Sequence, residues 1–172
     1  GTSYGGSACV GVHLIAGNSP DRAMFSGPRA AAFAAGLGWA NHPFLEPGKD
    51  FARCTAFTRP LWGLINSLES DPVRIFNPAV EPVPFARWSS EALYPVAYKD
   101  RAGNVLVIAA NLSGAPVSGR VDVDRSVLGL PSGCALKALR VRGTHPARAA
   151  GAGLAVQDLP PYGFCGALFT PR

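Results

Sequence analysis

The chain has 172 residues, 48% hydrophobic and 16% charged, with 20 Gly and 16 Pro. This composition excludes wholesale disorder and favours short strands and turns over long helices, and the length fits one large domain or two small ones. The net charge of +5 is scattered, densest at Arg140, Arg142 and Arg148; no basic block singles out nucleic acid as a partner, and no apolar run reaches the roughly 20 residues of a membrane-spanning helix.

The chain opens on GTSYGGSA, which does not read as a signal peptide. An opening Gly in place of Met points to a processed product or a cut fragment. Cys9–Ile15 (CVGVHLI) reads as a short buried strand ended by Gly17-Asn18-Ser19-Pro20. Pro28 suits the first position of a helix, where its missing N–H costs nothing. That helix would run through Arg29–Leu37, whose small residues allow close approach to another backbone. Residues 40–58 read as a long loop.

A second helix is expected from Pro60, with Thr58 as its cap. Leu61, Leu64, Ile65 and Leu68 fall at helical spacing beside Trp62, and Asp71-Pro72 ends it. Val73–Phe76 is a short strand, followed by a proline-rich linker through Pro78, Pro82 and Pro84.

The texture changes at Trp88. Leu93–Tyr98 and Val105–Ala110 are strands joined by a hairpin loop, Lys99–Asn104, in which Gly103 supplies a positive φ. In Val117–Val123, Val117, Gly119, Val121 and Val123 share one face, and Ser118, Arg120 and Asp122 the other. Val127–Leu130 leads into a turn at Pro131-Ser132-Gly133. Ala135–Val141, Leu154–Leu159 and Gly163–Thr170 complete the strands. Short strands at this spacing specify an antiparallel β-sandwich. No internal repeat is present.

Cys9, Cys54, Cys134 and Cys165 lack the spacing of a metal site. Two cysteines in each half suggest Cys9–Cys54 and Cys134–Cys165, one of the three pairings four cysteines allow. Asn111-Leu112-Ser113 is a glycosylation sequon. Together these features lean toward an oxidising, secreted or cell-surface location. His13, His42 and His145 lack HxH or HExxH spacing, GxSxG is absent, and neither Gly5-Gly6 nor Gly151-Ala152-Gly153 completes a phosphate loop. No metal and no cofactor are expected.

The order LYPVAYKD…NVLVIAANLSG…VDVD…LGLP…LPPYGFCGALF resembles the C-terminal β-sandwich that follows the (β/α)₈ catalytic barrel in many glycoside hydrolases. RAAAFAAGLGW and RPLWGLINSLESDPVRIFNPAV look like the last helices of such a barrel and the crossing into the sandwich. The resemblance implies an α+β chain: a short, partial barrel-like helical segment over residues 1–88, then an antiparallel β-sandwich over 89–172. A complete barrel needs about 250 residues, so most catalytic residues would lie outside this chain.

Glycoside hydrolysis normally uses two carboxyl groups. Asp21, in the loop NSPDRAMF after a candidate strand, is the catalytic candidate, since barrel enzymes place active-site residues in such loops. Glu46, Asp50, Glu69, Asp71 and Glu81 are the other carboxylates of that half. Trp39, Asn41 and His42 are substrate-binding candidates, because sugars stack on Trp and hydrogen-bond to amides and imidazole. The expected role is a supporting or carbohydrate-contacting one in a secreted glycoside hydrolase-like protein, with carbohydrate or a larger protein assembly as partner. The alternative is a non-catalytic structural subunit of an extracellular or cell-surface assembly.

Overall fold

The computed structural model describes residues 59–78 and 81–171. The expected strand at Cys9–Ile15, the helix at Arg29–Leu37, the loop at 40–58 and the Thr58 cap lie outside the described residues.

A helix, α1, covers 59–65. Leu61, Leu64, Ile65 and Leu68 are all buried, as the i, i+3, i+4, i+7 spacing requires of one helical face. The helix stops before Asp71-Pro72. The backbone N–H groups of Ser67 and Leu68 bond to carbonyls three residues back, and the Ser67 hydroxyl donates to the Leu64 carbonyl at 2.6 Å. These tight turns satisfy the helix's terminal carbonyls and leave Leu68 in the following bend.

Nine strands follow: β1 Arg74–Phe76, β2 Ala86–Trp88, β3 Leu93–Lys99, β4 Val105–Asn111, β5 Val117–Val123, β6 Ala135–Ala138, β7 Arg148–Ala150, β8 Gly153–Leu159 and β9 Phe164–Thr170. They form a five-stranded sheet in the order β1-β3-β4-β9-β6 and a four-stranded sheet in the order β2-β5-β8-β7. Every pairing is antiparallel. The β3–β4 hairpin forms at the expected place, with Gly103 at φ 86°.

Two short strands were not legible as strands. β2 directly follows the proline-rich linker, and β7 falls in a stretch with no alternating apolar pattern. The strand expected over Ala135–Val141 stops at Ala138. The sandwich therefore takes in strands on both sides of residue 88: β1 pairs with β3, and β2 with β5.

The inner core lies between the sheets. Phe76, Leu93, Ala97, Val105, Val107, Ala109, Cys165, Ala167 and Phe169 face Ala86, Val121, Val123, Leu154 and Val156. A second core lies on the other side of the five-stranded sheet, where Val96, Tyr98, Leu106, Ile108, Ala110 and Phe164 meet the four leucine and isoleucine side chains of α1 and its following bend. The order is thus helix, five-stranded sheet, four-stranded sheet. Strand β4 is buried along its whole length, which explains its unbroken apolar run: a strand covered on both faces has no polar side to alternate with.

Candidate functional site

Asp21, Trp39, Asn41, His42, Cys9 and Cys54 lie outside the described residues. Cys134 and Cys165 are described, and they correct the expected pairing: both are free, buried thiols. The β6–β9 register explains why. Ala135 sits opposite Thr170, so Cys134 stands at one end of β9 and Cys165 near the other. At 3.3 Å per residue they are about 20 Å apart, far beyond disulfide reach. The Cys165 thiol lies 3.8 Å from the Ala109 carbonyl, and burial pushes its pKa up to about 12. It is an inert core residue.

The sequon asparagine is packed into the fold. Asn111 is fully buried. Its Nδ2 donates to the carbonyls of Ala115 at 2.7 Å, Leu159 at 3.1 Å and Pro160 at 3.0 Å. Its Oδ1 accepts from the Ser113 N–H at 2.9 Å and the Ser113 hydroxyl at 2.8 Å. The side chain is a clasp between the end of β4 and the loop entering β9, and it presents no surface for a glycan. Neither the Cys134/Cys165 pair nor the sequon now carries the expectation of an oxidising location.

Five acidic side chains, Glu81, Asp100, Asp122, Asp124 and Asp158, are similarly occupied. Asp100 is buried and accepts from the Asn104 N–H at 2.8 Å, the Asn104 amide at 2.9 Å and the Glu69 N–H at 3.1 Å, tying the end of the α1 region to the β3–β4 loop. Asp122 pairs with Arg120 at 2.7 Å and Glu81 with Arg74 at 3.3 Å. Asp158 bonds Ser118. The Ser126 hydroxyl, then the Val127 N–H, hold the Asp124 carboxyl below its usual range. Among the described residues no three His, Cys, Asp or Glu side chains gather as a metal site. His145 instead bonds the backbone of β8, with Nε2 at 2.8 Å from the Gln157 carbonyl.

One aromatic cluster lies at the sandwich edge. Trp88 and Tyr94 have ring centroids 6.2 Å apart at 59°, and the Tyr94 hydroxyl donates to Asn77 Oδ1 at 3.2 Å. Trp88 is half-buried against the inner core, so its ring is mostly committed to packing.

What the described residues do build is a packing face. The outer side of the five-stranded sheet presents Val96, Tyr98, Leu106, Ile108, Ala110 and Phe164, all buried. Gly166 on β9 lets α1 approach: a Cβ there would stand 2.9 Å from one Leu64 methyl and 3.2 Å from the other. The Tyr98 hydroxyl is buried with no hydrogen-bond partner among the described residues, and desolvation raises its pKa. The signal for this face was present in the sequence as the unbroken VLVIAA run of β4. By contrast the outer face of the four-stranded sheet is polar, with exposed Arg87, Ser118, Arg120 and Gln157.

No known protein family, no characterised protein and no solved structure matches the chain.

Proposed function

We propose that this chain is a supporting module of a larger glycoside hydrolase-like protein, in which the sandwich is clamped to the chain that precedes it and does no chemistry itself. The observation that carries this reading is the unequal dressing of the two sheets. A free-standing sandwich keeps polar outer faces on both sides. Here the four-stranded sheet does so, while the five-stranded sheet has an apolar outer face covered by α1. A module with one such face is suited to joining an N-terminal partner layer, and the hydrolase part of the reading rests on the sequence resemblance of LYPVAYKD…LPPYGFCGALF alone.

The carboxylates within the described residues that make contacts are engaged in structural bonds, which fits a supporting role. A non-catalytic subunit of a larger assembly would use the same packing face. Hydrolysis of a panel of aryl glycosides separates the two. The longer natural protein should hydrolyse at least one, and the 172-residue chain none. Absence of hydrolysis by the longer protein, with stable co-purification of other chains, would sink the hydrolase reading and favour the assembly subunit.

A further inference from the structure

The sequon and the clasp are the same residue, and they make incompatible demands on it. N-glycosyl transfer joins the sugar C1 to Asn Nδ2. One Nδ2 hydrogen leaves as a proton, and the lipid diphosphate of the donor leaves with the electrons of its bond to C1. The product is a bulky, hydrated group that belongs at a surface.

In the fold, Asn111 is 0% exposed and its two Nδ2 hydrogens already serve three carbonyls, Ala115, Leu159 and Pro160, so one is shared. Loss of a hydrogen would leave at least one buried carbonyl unbonded, and the sugar would need the space those carbonyls fill. The backbone is equally committed: the Asn111 N–H donates to Gly163, and the Tyr162 N–H to Ser113. Opening the site for a sugar therefore means separating the end of β4 from the entry to β9, two neighbouring interior strands of the sheet.

We propose that Asn111-Leu112-Ser113 is an exclusive choice between modification and folding: the amide either clasps β4 to the β9 loop or carries a glycan, never both. The chain is accordingly built to mature where N-glycosyl transfer does not reach it before folding. This conclusion stands independently of the supporting role proposed above.

Secretory expression of the full chain in a glycosylating host, with and without tunicamycin, tests it by limited proteolysis and intact mass. Chains bearing a glycan at Asn111 should be cleaved within residues 59–172, while tunicamycin-treated chains should resist across that span. A protease-resistant chain with the glycan attached overturns the proposal. If no chain is modified, Ile108→Asp, which places a carboxylate in the buried helix–sheet face and blocks folding, decides the matter. Modification of that variant shows that the fold protects the sequon, as expected; an unmodified variant overturns the proposal.

Discussion

At the scale of single residues, the buried polar side chains define the described region more sharply than any catalytic candidate. Asn111→Ala removes both the donor for three carbonyls and the acceptor for Ser113, and is expected to cost about 3 kcal/mol in urea denaturation. Asn111→Asp should cost more near neutral pH, because it turns a carboxylate oxygen toward those carbonyls. A sequon pattern alone could not reveal this. An Asn whose side chain accepts from the N–H two residues on forms an Asx turn, and N-x-S is equally the signature of that turn at the end of a buried strand. Cys165 gives a second test, with alkaline pH as the lever. Burial raises its folded pKa to about 12, above an unfolded thiol near 8.5. The proton is held in the fold and released on unfolding, so stability is full below about pH 8.5 and falls as pH rises toward 12, by up to about 1.4 kcal/mol per pH unit. Buried Tyr98 adds to the fall at the upper end. Thermal unfolding from pH 7 to 11 should show this decline, and Cys165→Ala should flatten its first part. A thiol reagent that titrates Cys165 in the native protein at pH 8 would contradict its burial.

At the scale of elements, strands were legible where side-chain pattern dominates and hidden where only pairing does. β3, β4, β5, β8 and β9 each carry seven residues rich in apolar side chains, enough for pattern to show. β7 is Arg-Ala-Ala and β2 is Ala-Arg-Trp; such three-residue edge strands are strands because their neighbours offer free backbone groups. A bulge hides in β8 as well. The β5–β8 register shifts between Val117 and Gly119, and opposite it Asp158 adopts φ 51° while its N–H bonds the Ser118 hydroxyl at 2.8 Å. Left-handed backbone is tolerated by Asp and disfavoured for β-branched side chains. Asp158→Val should therefore cost about 2 kcal/mol in chemical denaturation, whereas Asp158→Asn should be nearly neutral. Equal effects of the two would mean the bulge backbone is not what restricts this position.

At the scale of the whole molecule, the unequal sheets decide whether the sandwich can stand alone. Residues 89–172 contain seven of the nine strands but lack α1, β1 and β2. Removing that segment would uncover Val96, Tyr98, Leu106, Ile108 and Phe164 together, each of them buried in the complete chain. At about 1.5–3 kcal/mol for each large apolar side chain kept from water, the loss approaches the whole stability of a small domain, typically about 5–15 kcal/mol. Two edge strands are lost at the same time, which bares the backbone of β3 and β5 to other chains. A fragment of residues 89–172 should therefore bind a hydrophobic dye, self-associate and lack a cooperative thermal transition. A fragment of residues 59–172 should keep such a transition, because it restores α1 and both strands. Gly166→Val tests the same junction without truncation. Its side chain would meet the Leu64 methyls that already lie within 3.2 Å of a Cβ there, lifting α1 from the sheet and lowering stability by about 1–3 kcal/mol. The substitution should also increase dye binding, which a purely local strain in β9 would not do. If residues 89–172 fold as a monomer with a sharp transition, the apolar face does not need its cover, and the sandwich is not a module clamped to the preceding chain.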